Sequence, residues 1–215
     1  VKTEDIITLE DMQEFMKKHL NKDQLKEYLD TFDLDFAVVV EGQRFRANAF
    51  KTMTGHGCVL RLIVTDIPDI KVLNLPEAVF SVLDKHARLV LVTGQTGSGK
   101  STSLAAMIDQ LNKNRDAHII TIEDPIEFTH IDKKCVISQR EVGRDTSSFA
   151  RALKAALRED PDIILLGELR DYETVSMALT TAETGHLVFG TLHTSGASST
   201  INRIITPYPA EEKEQ

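Results

Sequence analysis

The sequence predicts an α/β protein in two parts, a small α+β domain on the N-terminal side followed by a mostly parallel sheet with helices. Three observations carry that expectation. From about residue 76 onward, apolar β-branched runs alternate with helical patterns, as in β-α-β units. One such run, residues 89–93, feeds directly into Gly94-Gln95-Thr96-Gly97-Ser98-Gly99-Lys100-Ser101, which fits G-x-x-x-x-G-K-[ST] at every fixed position. Between about residues 36 and 64 the apolar period falls to two with short turns, which describes adjacent strands joined by hairpins.

Composition narrows the class. A chain of 215 residues buries a good core, and two domains are expected: 1–66, incomplete at its start, and 76–215, joined by a linker at 67–75. Apolar residues make up 41% and charged residues 27%, the balance of an ordinary globular protein. No apolar run approaches the ~20 residues of a membrane span, and no signal peptide opens the chain, so a cytoplasmic protein without a transmembrane segment is expected. The net charge of −8 gives no global electrostatic reason to bind nucleic acid, and no nucleic-acid partner is expected. Cys58 and Cys135 are too few for a disulfide framework or a four-ligand zinc site. The chain opens at Val1 and stops within Pro209-Ala210-Glu211-Glu212-Lys213-Glu214, which reads as the start of a helix, so a fragment is expected.

In chain order, Thr8 and Asp11 have capping-box spacing, and Leu9, Met12, Phe15, Met16 and Leu20 follow at helical spacing. Asn21 caps a second helix with the stripe Leu25, Tyr28, Leu29 and Phe32. Residues 36–40, a turn at Glu41-Gly42, and residues 44–50 form a hairpin, and Gly55-His56-Gly57 turns the chain into a third strand at 58–64. Arg44, Arg46 and Arg61 lie on these strands, with Phe45 pointing to the opposite face. Two roles fit the arginines: a solvated strand face that resists edge pairing, or a reach to a nucleotide phosphate across a domain or subunit boundary.

After the linker, whose Pro68 breaks any period, a helix is expected at 76–86. In the glycine-rich loop, Gly94, Gly97 and Gly99 permit left-handed backbone, which turns successive N–H groups inward as a nest for phosphate oxygens. Lys100 adds a point charge and Ser101 a hydroxyl for Mg²⁺, while Gln95, Thr96, Ser98 and Thr102 complete the candidate loop at a helix N-terminus. A second buried strand, 118–122, ends in Glu123-Asp124-Pro125-Ile126-Glu127. Acids at the carboxyl end of a parallel strand sit where such sheets bind ligands, so Glu123 either polarises an attacking water or caps the turn before Pro125. Residues 133–139 alternate weakly and predict a small hairpin. Phe149, Ala152, Leu153, Ala156 and Leu157 mark an amphipathic helix with Arg151, Lys154 and Arg158 on its solvated face. Residues 161–168 form a third buried strand finishing on Glu168, the Walker B logic that brings a carboxylate near Mg²⁺ and a γ-phosphate. Asp171 caps the next helix, Gly185 closes it, and a fourth strand at 186–193 is flanked by His186 and His193. A histidine at a strand end is commonly structural; two beside a nucleotide sheet also fit a γ-phosphate sensor, since neutral imidazole can donate a hydrogen bond.

The phosphate loop, Thr121-Ile122-Glu123-Asp124-Pro125-Ile126-Glu127, Gly167-Glu168-Leu169-Arg170-Asp171 and Gly185-His186-Leu187-Val188-Phe189-Gly190-Thr191-Leu192-His193 occur in that order. They resemble the Walker A, Asp box, Walker B and His box of the type II secretion and type IV pilus ATPase superfamily. Arg140-Glu141-Val142-Gly143-Arg144-Asp145-Thr146 and the wording around Gly185 are similar to its pilus retraction (twitching motility) branch; assembly ATPases more often read Leu-Thr-Gly-His and Leu-Ser-Thr-Leu-His. The resemblance implies a homohexamer of subunits with a PAS-like N-terminal domain and a RecA-like P-loop NTPase core. It implies hydrolysis of ATP with Mg²⁺ to drive pilus retraction through the platform protein of the inner membrane, with the enzyme peripheral on its cytoplasmic side. By position, Lys100 and Ser101 hold phosphate and Mg²⁺, Glu123 is the general base, and Glu168 supports the metal. His186 and His193 join the γ-phosphate sensor, and Arg44, Arg46 and Arg61 face the nucleotide. Two features depart from the family: its usual N-terminal opening and its C-terminal helical domain with an Ala-Ile-Arg motif are not in this sequence, and Thr206-Pro207-Tyr208-Pro209 replaces the usual Asp-Val-Phe-Pro.

The competing readings are a pilus assembly or type II secretion ATPase, a nucleic-acid translocase on the same core, and a non-hydrolysing ATP-binding partner. The charge and the absence of tryptophan weigh against the second, and the intact Glu123 and Glu168 against the third.

Overall fold

A computed structural model describes residues 8–63 and 66–206. The chain divides into two compact units, 1–64 and 65–215. The start of a helix expected at 209–214, and all but the first residue of the departing 206–209 stretch, lie outside the described residues.

In the first unit, α1 (Leu9–His19) and α2 (Lys22–Thr31) each begin with a reciprocal capping box, Thr8 with Asp11 and Asn21 with Gln24. They precede β1 (Asp33–Val40), β2 (Gln43–Thr52) and β3 (Gly55–Leu62), an antiparallel sheet in that order. The period of two does the sorting. Leu34, Phe36, Val38, Ala47 and Ala49 all turn to one face and pack against Met12, Met16, Leu20 and Tyr28 of the helices. The Tyr28 hydroxyl donates to the Phe50 carbonyl at 3.3 Å and lies 2.5 Å from His56 Nδ1, so the buried phenol keeps polar partners.

The second unit opens with a 3-10 turn (Ile70–Leu73) and α3 (Glu77–Leu83). Ile70 is 2% exposed and joins the core against the helix that follows the glycine-rich loop, so this part of the expected linker is packed structure. Then come β4 (Arg88–Thr93), α4 (Lys100–Asn114), β5 (His118–Glu123), β6 (Val136–Glu141), α5 (Phe149–Ala156), β7 (Ile163–Leu166), α6 (Tyr172–Glu183), β8 (Leu187–Leu192) and α7 (Ala197–Ile205). The five strands are all parallel, in the order β4-β8-β7-β5-β6. The buried strands are apolar on both sides because helices cover both faces. Ile119, Ile163, Leu187 and Phe189 meet Leu104, Met107, Ile108 and Leu111 of α4; Ile120, Ile164 and Val188 meet Leu153 and Ala156 of α5 and Val175 and Ala178 of α6.

The hairpin expected at 133–139 is not formed. Asn112, fully buried on α4, accepts from the N–H of Lys133 (3.0 Å) and Cys135 (3.3 Å) and donates to the Ile131 carbonyl (2.8 Å). That segment's polar backbone is therefore satisfied by a helix rather than by a hairpin partner, and the chain continues as a single parallel strand, β6, on β5.

Candidate nucleotide site

Because every strand among the described residues of the second unit runs the same way, their five carboxyl ends open on one edge of the sheet. Backbone hydrogen bonds beyond the strands stitch the exit loops together: Gly94 N–H to Leu192 O (3.4 Å), Leu169 N–H to Thr191 O (3.0 Å), Gly167 N–H to Ile122 O (2.8 Å) and Val142 N–H to Glu123 O (2.8 Å). Thr191 Oγ1 also donates to the Gly167 carbonyl. The phosphate loop after β4, His193 after β8, Glu168 after β7 and Glu123 ending β5 thus share this edge.

The loop itself has the backbone that its glycines predict. Gly94 sits at φ 151°, and a Cβ there would lie 2.6 Å from Ser98 Oγ. Gly99, at φ 89°, precedes α4 with no side-chain cap, leaving the first-turn N–H groups of Lys100, Ser101 and Thr102 to an anion. Lys100 is 9% exposed, and its ammonium donates to the carbonyls of Gly94 and Gln95, at 2.9 Å each, which draws it back across the loop. Residues 95–99 are exposed, while Ser101 and Thr102 are half-buried in the first turn.

Glu123 is half-buried, and burial pushes its carboxyl from the ordinary 4.5 up to about 7. Thr121 Oγ1 (2.7 Å) and Gln139 Nε2 (3.3 Å) both donate to its Oε1 and oppose that rise, as does the Glu127 backbone N–H; the Glu127 charge adds to it. A carboxyl that titrates near neutrality suits proton transfer. Gly167 allows the close approach of β7 to this group, since a Cβ there would stand 3.2 Å from Glu123 Cα. Glu168 pairs through Oε2 with Arg170 at 2.6 Å, and its Oε1 is 3.6 Å from His193 Nε2. Sequence reasoning passed over Arg170, Gln139 and Thr121. Arg170 lay within the quoted Walker B stretch, but nothing in its spacing showed that it would fold back on its neighbour's carboxylate.

His186 lies apart from the other candidate residues. It precedes β8 at the amino edge of the sheet, seven residues and roughly 20 Å of extended strand from His193. Its Nδ1 lies 3.0 Å from the Thr181 carbonyl at the end of α6, and within this chain it does not join the phosphate-loop edge.

Arg44, Arg46 and Arg61 belong to the first unit. Arg44 and Arg46 are two apart on β2 and Arg46 stands opposite Arg61 on β3, so all three occupy the sheet face turned away from α1 and α2. Arg46 is 3.7 Å from Asp35.

The donor set fits a magnesium nucleotide. Among the described residues no group of three His, Cys, Asp or Glu side chains is gathered to hold a metal by itself. One hydroxyl and one carboxylate, Ser101 and Glu168, beside an anion cradle is the sparse oxygen set that Mg²⁺ accepts when phosphate and water fill the rest. No helix among the described residues is long and apolar enough to cross a membrane.

Residues 33–206 match the family model described as type II/IV secretion system protein. The type IV pilus retractation ATPase PilT of Pseudomonas aeruginosa is 55% identical over 195 residues, 90% of this chain and 57% of that protein. The twitching motility protein of Neisseria gonorrhoeae is 49% identical over 209 residues, 97% of this chain and 56% of that one. The crystal structure of the pilus retraction motor PilT with bound ADP aligns with a TM-score of 0.91 at 49% identity, covering 96% of this chain and 60% of that chain. The chain therefore spans less than two thirds of the length of these relatives.

Proposed function

Because the chain belongs to the type II/IV secretion system protein family, we propose that it is the nucleotide-hydrolysing part of an ATPase that powers retraction of type IV pili. In this reading the second unit is a RecA-like core, the first a PAS-like domain, and the working form a homohexamer acting from the cytoplasmic side on the inner-membrane platform protein. The observation that carries the reading is the convergence of the phosphate loop, Glu123, Glu168 and His193 on one edge of a parallel sheet.

The chemistry assigned to these residues is hydrolysis of the terminal phosphoanhydride. The loop N–H groups and Lys100 bind the β- and γ-phosphates. Ser101 and Glu168 would hold Mg²⁺, which would neutralise phosphate charge there. Glu123 accepts the proton of the water that attacks the γ-phosphorus as the bond to the ADP oxygen breaks. His193 donates to the γ-phosphate, while Arg44, Arg46 and Arg61 bring positive charge from an adjacent subunit.

Retraction is favoured over assembly or type II secretion by the wording of the Arg140–Thr146 stretch and around Gly185 and by the names of two relatives that match over nearly the whole chain. The test is surface pilus number in a strain lacking the full-length gene, complemented with wild type or Lys100→Ala. Excess pili with lost twitching, rescued only by wild type, is the expected result. Bald cells would assign assembly instead, and unchanged piliation a secretion role.

A further inference from the structure

We propose that Thr121 and Gln139 are positioning residues for Glu123, gripping one carboxylate oxygen from two strands and thereby fixing the direction in which the group meets water. The inference rests on the reading of Glu123 as general base, and it starts from register. Thr121 on β5 stands opposite Gln139 on β6, and Glu123 follows Thr121 by two, so the three side chains share one face of the sheet. Oε1 of Glu123 accepts from Thr121 Oγ1 at 2.7 Å and from Gln139 Nε2 at 3.3 Å. Thr121 is 1% exposed, so its hydroxyl has little access to water as an alternative partner.

Gln139 is itself immobilised at both ends. Its Nε2 also donates to the Phe128 carbonyl (3.0 Å), and its Oε1 accepts from the His130 N–H (2.8 Å). An inverted amide would set its oxygen against the Phe128 carbonyl and its nitrogen against an N–H, so these backbone partners dictate which end faces Glu123. Glu141, two residues further along β6, is 5% exposed and accepts from the Ile126 N–H at 3.2 Å. One edge strand thus fastens the 124–130 loop at Ile126, Phe128 and His130 and touches the Glu123 carboxylate just before it. The composition of β6 fits that role: it begins with Val136 and Ile137 but continues Ser138-Gln139-Arg140-Glu141, polar residues that packing alone does not require. Hydrogen bonds to the charged form also limit how far burial neutralises the group.

The experiment is steady-state ATP hydrolysis by the full-length protein carrying Thr121→Val, Thr121→Ser, Gln139→Met or Glu123→Gln, with ADP binding measured alongside. Thr121→Val and Gln139→Met are expected to lower kcat about tenfold each while KM and ADP affinity stay within about twofold, and Thr121→Ser to restore kcat. In the Glu123→Gln background neither substitution should reduce the residual rate further, because both act through the carboxylate it replaces. Wild-type kcat in Thr121→Val and Gln139→Met together with an inactive Glu123→Gln would overturn the positioning role and leave the general base standing. Wild-type turnover in Glu123→Gln would remove the base itself, and an inactive Glu127→Gln would then move that role four residues along. A fall in ADP affinity parallel to kcat would reduce Thr121 and Gln139 to structural supports.

Discussion

Burial raises the Glu123 carboxyl from 4.5 to about 7, with a consequence for stability as well as for chemistry. The unfolded chain loses this proton near 4.5 and the folded chain near 7, so between those values the folded state holds more protons. Its stabilising contribution is complete below about 4.5 and is lost as pH rises through 7, on the order of 3 kcal/mol. Glu123→Gln should therefore melt at a higher temperature than wild type at pH 8 and close to it at pH 4.5, as thermal unfolding at the two pH values will read. Turnover should move in the opposite sense, rising through an acid limb near pH 7 as the carboxylate forms. A limb near 4.5, or a melting difference independent of pH, would contradict this account. A site that is more stable when protonated and more active when ionised is a local conflict of the kind expected where function is placed.

Helix α4 ties the phosphate loop to the loop around Glu123. Its first turn offers N–H groups to phosphate, and Asn112 near its last turn holds the 131–135 segment that leads into β6. Asn112→Leu would leave two backbone N–H groups and one carbonyl without their buried partner, at a cost of about 2–4 kcal/mol by urea denaturation. Gly94→Ala addresses the other end. The new Cβ meets Ser98 Oγ at a φ that side chains rarely adopt, so ADP affinity should fall at least tenfold while the denaturation midpoint of the unit changes little. If Gly94→Ala binds ADP like wild type, the loop is not the phosphate cradle.

For the whole molecule the arginine face is the informative surface. Arg46 and Arg61 stand directly opposite one another, an arrangement that ordinarily costs a few tenths of a kcal/mol, and Arg46 has Asp35 at 3.7 Å as an exposed ion-pair partner. If this face supplies charge to a neighbouring subunit's nucleotide, Arg61→Ala should leave folding within about 0.5 kcal/mol of wild type and cut turnover of the assembled protein about a thousandfold. Mixing Arg61→Ala with Lys100→Ala subunits should then recover part of the activity, because some interfaces pair an intact loop with an intact arginine. No recovery on mixing would place the arginines outside catalysis in trans.

The phosphate loop, the buried strands, the capping box of α1 and the Asn21 cap of α2 were legible because each is set by residues close together in the chain. Three glycines, a lysine and a serine specify a loop, Thr8 with Asp11 specifies a helix start, and a run such as Ile163–Leu166 specifies a strand buried on both faces. Strand order is a different kind of quantity, decided by packing between segments tens of residues apart. The order β4-β8-β7-β5-β6 puts β7 beside β5 and so brings Glu123 and Glu168 to neighbouring exits, which neither residue's local sequence dictates. Likewise the weak alternation at 133–139 concealed a parallel strand, because its partners, Asn112 and β5, lie far away in the sequence. Local backbone preference wrote the pieces of this site, and the shared direction of five strands, fixed by helices packed on both faces, decided which pieces meet.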